Sequence, residues 1–244
     1  MQIPAIKLIF EDKNFLAVNK PVGLLVHATK SSNEPTLVDW LLKKYPEIKN
    51  VGDNTEERPG IVHRLDRDTS GVILIPKNQK YFEYLKKLFQ SHLIKKTYLA
   101  LVYGKIKERQ GVIDKPISIK AKTVKRTVHA GKMAKEAVTE YKTLKIFKSA
   151  EREDFFTLLK VMPKTGRTHQ IRVHLASIGH PIVGDKLYGK KNNPLNLNRQ
   201  FLHAESIEFN LENDQRIKIE ADLPNELKNI ILKLENGTGN FREN

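Results

Sequence analysis

The sequence predicts an α+β fold in which helices flank a mixed, mostly antiparallel sheet with a central active-site cleft. Two observations support this class. Short aliphatic runs alternate with tight-turn residues, which is typical of consecutive antiparallel strands. A few other segments repeat apolar residues at the 3.6-residue period of a helix. The 244 residues contain no linker and no composition shift, so we predict one catalytic domain over 1–236 and a loose tail at 237–244.

Strands are predicted where β-branched and aliphatic residues cluster between turn residues. These segments are Ile6–Phe10, Phe15–Val18, Leu24–His27, Ile61–His63, Val72–Ile75, Tyr98–Val102, Val112–Ile113, Ala137–Phe147, Phe155–Val161 and Phe201–Leu211. Residues 47–60 are predicted to form an irregular loop, and residues 120–135 a basic loop.

Helices are predicted from capping residues and apolar periodicity. Thr36 caps a helix that ends before Pro46, and apolar residues between 81 and 89 give an amphipathic helix over 79–91. A third helix follows Gly166–His169 and is closed by Gly179, and Pro224 opens the last one. An arginine, Arg167, therefore lies at the start of a helix.

The composition favours a polyanionic partner. Lysine and arginine number 43 against 28 acidic residues, which gives a formal charge of +15. Such an excess is typical of nucleic-acid-binding proteins. Cysteine is absent, which excludes disulfides and thiolate metal sites and fits a reducing cytoplasm. The N-terminus lacks the features of a signal peptide and no apolar run is long enough to span a bilayer, so we expect a cytoplasmic protein without a membrane.

A polar turn, Asp66-Arg67-Asp68-Thr69-Ser70-Gly71, interrupts two apolar runs and concentrates reactive side chains. Either Asp66 or Asp68 could serve as nucleophile or base beside a cation, and spacing does not choose between them. Asp68 could also simply close an Asx-type turn.

A second motif, Gly166-Arg167-Thr168-His169-Gln170-Ile171-Arg172, places cationic and imidazole donors at a helix N-terminus, where anions bind readily. It suits a phosphate or a carboxylate, although a solvated basic helix face would look the same. The histidines lack the i, i+4 spacing with a glutamate that a helical zinc site uses, so we expect no metal. Tyr98 lies on the predicted buried face of its strand, as a core tyrosine would.

Taken together, these segments resemble the RluA-type family of pseudouridine synthases. Besides the Asp66 turn, Tyr98 and the Arg167 motif, the resemblance includes a run near the N-terminus and further motifs in the same order. These are Asn19-Lys20-Pro21-Val22-Gly23-Leu24, Gly184-Asp185-Lys186-Leu187-Tyr188-Gly189, Leu202-His203-Ala204 and Leu223-Pro224. The match covers roughly residues 6–235, and it starts so near Met1 that it implies a member without the N-terminal ribosomal-protein-like RNA-binding domain. Ala28 departs from the proline frequent at that loop position.

The resemblance implies the fold named above, a pseudouridine synthase activity and the roles of several residues. Asp66 would be the catalytic aspartate, Tyr98 would lie against the target base, and Arg167 would pair with the aspartate. Arg64 would fill the space that a flipped-out uridine leaves in the RNA. We add further RNA-binding residues, which are Arg67, Lys96, His169, Arg172, Lys122, Lys125 and Arg126.

The expected partner is structured RNA, ribosomal or transfer, with no cofactor and a monomeric enzyme. Two other interpretations remain open at this point. A non-catalytic RNA-binding protein would keep the fold and the charge without needing the three catalytic residues together. A phosphate-ester hydrolase would use Asp66 with the Arg167 helix start, but it would normally need a metal or a second acid.

Overall fold

The computed structural model describes residues 3–28, 34–120, 123, 125–129, 131–149, 154–191 and 193–237. The chain divides into two compact units. Unit 1 comprises Met1–Lys96 and Ala204–Asp222, and unit 2 comprises Thr97–His203 and Leu223–Asn244.

Strands and short helices alternate along the chain. In chain order the strands are β1 Lys7–Glu11, β2 Phe15–Lys20, β3 Ser70–Pro76, β4 Lys95–Tyr103, β5 Gln110–Asp114, β6 Ile117–Ile119, β7 Arg126–Thr127, β8 Lys132–Lys135, β9 Val138–Lys148, β10 Phe155–Pro163, β11 Leu202–Asn210 and β12 Arg216–Glu220. The helices are α1 Leu37–Lys44, α2 Gln79–Gln90, α3 Gln170–Ser177 and α4 Asn225–Gly237, with a short 3-10 helix at Pro46–Asn50.

Unit 1 is built around β3, whose residues are all buried. β2 pairs antiparallel with β1 and with β3, and β11 pairs antiparallel with β12. Side chains alternate across a strand, so Ile73 and Ile75 enter an apolar cluster with α1, whereas Val72 and Leu74 enter another with most of the apolar face of α2. Both faces of β3 are therefore covered, which makes this strand a rigid support for the turn before it.

Unit 2 is built around β10, which pairs antiparallel with β4 on one side and with β9 on the other, and β9 continues to β5. Apolar residues of α3 and α4 pack on this sheet, among them Ile171, Leu175, Leu227 and Leu234. A small separate sheet places β6 between β7 and β8, both antiparallel to it.

The predicted fold class is confirmed, and most predicted elements are present within one to three residues of their expected ends. α1 begins where Thr36 forms a capping box with Asp39, as its sequence predicts. The single-domain prediction stays a prediction. Of the predicted tail 237–244, Gly237 ends α4 and the remainder lies outside the described residues.

Some local predictions are wrong. Leu24–His27 is not a strand, because Leu25 makes only an isolated bridge to Thr36. Ile61–His63 is not a strand either, since the His63 side chain rather than its backbone bonds to β3. The predicted loop 120–135 contains β7 and β8, the predicted loop 47–60 begins with a 3-10 helix, and β12 was not predicted. In the part of the chain that the structure describes, no helix has the length and apolarity to cross a membrane.

Candidate active site

The turn that carries Asp66 directly precedes the buried strand β3 in unit 1. The backbone amide of Thr69 donates to the Asp66 carbonyl at 3.1 Å, which closes the turn. Asp66 and Asp68 are half-buried and Arg64 is exposed. A carboxylate is thus held at the end of a rigid strand, a position where loops commonly carry function.

A buried lysine anchors this turn. Lys20 is 0% exposed, and its ammonium donates to the carbonyls of Pro21 and Leu24 at 2.8 Å each and to that of Arg67 at 2.9 Å. The amide of Gly23 donates to the same Arg67 carbonyl at 3.0 Å. Taking a charge out of water is costly unless acceptors replace the water, and here backbone carbonyls do so. The backbone of Arg67, the residue after the proposed catalytic aspartate, is therefore held in place.

Sequence reasoning missed the part that Lys20 plays, although it singled out the run Asn19-Lys20-Pro21. The available signal was a lysine that ends β2, a strand whose first four residues are apolar and buried. The side chain of Arg67 also bonds to the segment that follows Lys20. Its Nε donates to the Gly23 carbonyl at 3.1 Å, and its Nη2 pairs with Glu34 at 2.7 Å. Arg67 is exposed at the surface, as an RNA contact requires.

His63 ties the same segment to β3. Its Nε2 accepts a hydrogen bond from the Leu74 amide at 2.8 Å, and its ring stacks on Phe89 with centroids 4.6 Å apart. Burial, with a smaller effect from the charge of Lys96, lowers the pKa of His63 to about 3. The ring is therefore neutral at neutral pH, and because Nε2 accepts, the proton lies on Nδ1. His63 supports the turn and is unsuited to act as an acid.

The turn ends in glycine, Gly71, because a side chain at this position would collide with the backbone of Ala204. The φ of Gly71 is +122°, and a Cβ placed on it would lie 2.1 Å from the carbonyl oxygen of Ala204. A side chain at this position would force the two backbone segments apart.

Tyr98 and Arg167 belong to unit 2. Tyr98 lies in β4 opposite Val161 of β10 and is half-buried against the apolar core of that unit. Arg167 is exposed in the turn between β10 and α3. Its Nε donates to the carbonyl of Glu136 at 2.9 Å, and its backbone amide donates to Oε1 of Gln170 at 2.9 Å.

His169 and Arg126 share one partner, the hydroxyl of Tyr188. The Arg126 amide donates to this hydroxyl at 2.7 Å, and Nδ1 of His169 lies 3.0 Å from it. His169 has a φ of +57° and precedes α3. Since the hydroxyl already accepts from Arg126, it can donate its own proton to His169. Tyr188 thereby links the small basic sheet to the Arg167 turn, a connection that the sequence did not indicate.

Arg172 requires a correction, because it is not placed to contact RNA. Arg172 is 5% exposed, and its Nε and Nη2 donate to the two carboxylate oxygens of Asp185, at 2.7 and 2.8 Å. The same carboxylate accepts the amides of Leu187 and Tyr188 at 2.9 and 3.1 Å. Arg172 faces inward because α3 packs on its unit, so it stabilises the 185–188 turn rather than an external phosphate.

The small sheet of β6, β7 and β8 forms a basic surface. Every residue of β8 is exposed, including Lys132 and Lys135. Lys125 and Arg126 are half-buried at β7, and Lys122 lies outside the described residues. The predicted basic segment therefore contributes two strands of this sheet, β7 and β8.

The predicted site residues divide between the two units. Unit 1 contains Arg64, Asp66, Arg67 and Lys96, and unit 2 contains Tyr98, Lys125, Arg126, Arg167, His169 and Arg172. That Asp66 meets Tyr98 and Arg167 stays a prediction. Among the described residues, no three His, Asp or Glu side chains are grouped so as to hold a metal ion.

Comparison with known proteins decides the family. The profile of the family described as RNA pseudouridylate synthase matches residues 14–177, more than half of the chain. The chain belongs to this family. The resemblance inferred from the motifs is thereby confirmed, and the matched range includes Asp66, Tyr98 and Arg167.

Individual relatives agree with this assignment. The chain is 46% identical over 187 residues to an uncharacterised RNA pseudouridine synthase of Aquifex aeolicus, covering 77% of this chain and 57% of the relative. It is 36% identical over 244 residues to ribosomal large subunit pseudouridine synthase D of Nitrosomonas europaea, covering 95% of this chain and 66% of the relative. The chain thus spans about three fifths of the length of these curated relatives.

Solved structures agree on the fold. The human RNA pseudouridylate synthase domain containing 1 superposes with a TM-score of 0.74 at 24% identity, covering 92% of this chain and 86% of the other. Human RNA pseudouridylate synthase domain containing 4 gives a TM-score of 0.72 at 24% identity, with 94% and 93% covered.

Proposed function

We propose that the protein is a pseudouridine synthase that isomerises uridines in structured RNA, ribosomal or transfer. The observation that best supports this is the family match over residues 14–177, which spans all three proposed catalytic residues. The reaction breaks the bond from uracil N1 to the ribose C1′ and joins C5 to the same carbon. N1 gains a proton and C5 loses one, so the reaction needs no net oxidant or reductant.

Asp66 is proposed as the catalytic carboxylate, acting as nucleophile or base. A guanidinium beside a carboxylate favours its ionised form and fixes its orientation, and Arg167 would supply it. Tyr98 would stack on the uracil ring and assist removal of the C5 proton.

The target uridine must leave its helical stack before it can react. This extrusion costs a few kcal/mol, which contacts to the RNA backbone offset. Arg64, exposed at the turn, would occupy the space left behind, while Arg67, Lys96, His169 and the basic sheet contact phosphates. We further propose that the enzyme is a monomer in the cytoplasm, which the absence of cysteine suits.

Turnover with two matched variants tests the catalytic assignment. RNA labelled with tritium at C5 of uridine releases tritium when C5 joins the sugar. We expect Asp66→Asn to slow this release by at least about 100-fold, the lower range for loss of a positioned base. Asp68→Asn, the same change in the same turn, should retain most of the activity. Loss of turnover in Asp68→Asn alone would contradict the choice of Asp66.

RNA binding and phosphate release, measured beside tritium release, separate the other interpretations. RNA binding without any tritium release by the unmutated protein would favour a binding protein. Release of inorganic phosphate that chelators abolish would favour a hydrolase.

Salt dependence of RNA binding tests the basic sheet. Each phosphate contact contributes about 0.7 to 0.9 to the slope of log affinity against log salt. Replacing Lys125 and Arg126 by alanine should therefore make this negative slope shallower by about 1 to 2. Lys228→Ala with Lys233→Ala removes equal charge from exposed positions of α4 and should leave the slope unchanged. An identical loss in both pairs would show that only net charge matters.

A further inference from the structure

The side-chain amide of Gln170 is buried and bonded on every side. Gln170 is 4% exposed. Its Oε1 accepts from the Arg167 amide at 2.9 Å and from the Thr165 hydroxyl at 2.7 Å. Its Nε2 donates to the Val138 carbonyl and to the Thr139 hydroxyl, each at 3.0 Å. A primary amide has two donors and two acceptor sites, and all are used here.

A second layer fixes the direction of these hydrogen bonds. Nε2 of His174 lies 2.9 Å from the Lys115 carbonyl, which can only accept, so Nε2 carries the proton. Burial, chiefly, lowers the pKa of His174, so at neutral pH the ring is neutral and Nδ1 is an acceptor. The Thr139 hydroxyl, 2.9 Å from Nδ1, donates to it and accepts from Gln170. The amide of Gln170 therefore has one satisfied orientation.

We propose that Gln170 is a positioning residue that holds the Arg167 turn in its active geometry. The amide clamps the turn to the start of β9 through Val138 and Thr139, while the Arg167 side chain reaches back to the Glu136 carbonyl just before that strand. The inference rests on the proposed function, in which Arg167 acts with the catalytic aspartate. Displacements of about 1 Å at such a site reduce turnover by about 100-fold.

Replacement of Gln170 by glutamate makes the clamp depend on protonation. A protonated glutamic acid keeps a carbonyl oxygen for Arg167 and Thr165 and one O–H for Thr139. The Val138 carbonyl retains the Lys164 amide at 3.0 Å as a donor. An ionised carboxylate would instead direct an acceptor at that carbonyl, and burial disfavours its charge and raises its pKa.

The pH profile of turnover is the first test. All variants share the ionisable residues of the elements around Gln170, which include Asp114, Lys115, Lys135, Glu136, Glu140, Lys164, Arg167, His169, Arg172 and His174. We expect kcat of Gln170→Glu relative to the unmutated enzyme to rise at least about tenfold between pH 9 and pH 6. Gln170→Leu should lose about 100-fold in kcat at every pH with KM for RNA little changed. Gln110→Glu, the same change at an exposed position, should follow the unmutated profile.

A kcat ratio for Gln170→Glu that does not vary with pH, or full activity in Gln170→Leu, would overturn the inference. Recovery of Gln170→Glu at low pH also shows that the variant is folded, so the test does not depend on the leucine variant being stable.

Amide hydrogen exchange is the second test, and it does not depend on activity. We expect the Arg167 amide to exchange at least about tenfold faster in Gln170→Leu, because it loses its acceptor. Unchanged protection would overturn the inference even if the proposed function holds. Conversely, faster exchange in Gln170→Leu, together with an unmutated protein that makes no pseudouridine, would mean that the clamp exists and that the proposed function is wrong.

Discussion

Removing the Asp185 carboxylate should be among the most destabilising single changes in unit 2. Its side chain is 0% exposed and that of its partner Arg172 is 6% exposed. Burial by itself would raise the pKa of Asp185, but hydrogen bonds from Arg172 and from two backbone amides lower it overall. Asp185→Ala leaves a buried guanidinium without its counter-ion, which typically costs about 3 to 5 kcal/mol. The amides of Leu187 and Tyr188 lose an acceptor as well.

Urea unfolding monitored by circular dichroism measures this cost. Asp222→Ala, which removes the partner of Lys7 in a pair whose side chains are 69% and 71% exposed, should cost less than about 1 kcal/mol. The double variant Arg172→Met with Asp185→Leu removes both charges, so it should recover the part of the loss that comes from the unpaired guanidinium, while the Leu187 and Tyr188 amides still lack their acceptor. Its RNA binding should keep the salt slope of the unmutated protein, because a buried arginine contacts no phosphate.

Two results would refute this reasoning. A loss below about 1 kcal/mol in Asp185→Ala would mean that water or another group compensates Arg172. If log affinity for RNA falls less steeply with log salt in the double variant, Arg172 is an RNA contact after all.

Unit 1 provides three further predictions, all measured as free energies of unfolding. His63 has a lower pKa folded than unfolded, so its neutral form stabilises the protein above about pH 6.5 and this stability is lost as pH falls. The advantage of the unmutated protein over His63→Gln should shrink by up to about 2 kcal/mol from pH 7 to 5, and parallel curves would contradict this. Gly71→Ala should cost at least about 2 kcal/mol, whereas Gly23→Ala, with a φ of +79° and nothing within 4 Å, should cost about 1. Equal losses would show that the backbone moves to relieve the close approach between position 71 and Ala204. Thr36→Ala should cost about 1 kcal/mol and Thr36→Ser much less, and similar losses in both would exclude the cap as the cause.

Much of this fold follows from local sequence. Thr36 and Asn78 cap α1 and α2 through atoms three residues away, and the apolar spacing of α2 is visible in one short window. The aliphatic run of β3 requires burial on both faces. The order of the motifs was sufficient to identify the family, and with it to prefer Asp66 over Asp68. Spacing alone left those two carboxylates equivalent.

Other features depended on residues distant in the chain. Arg172 has the same local context as a surface arginine, and only its pairing with Asp185 makes it internal. Lys20 became an anchor because the turn at Arg67 returns over it, and Gln170 became a clamp because β9 passes beside α3. The sequence by itself determined the family, through the order of its motifs, and which segments are helical or extended, since capping and periodicity act within a few residues. Only the tertiary structure decided which polar side chains are buried as supports, because burial and hydrogen-bond partners come from segments that local pattern does not connect.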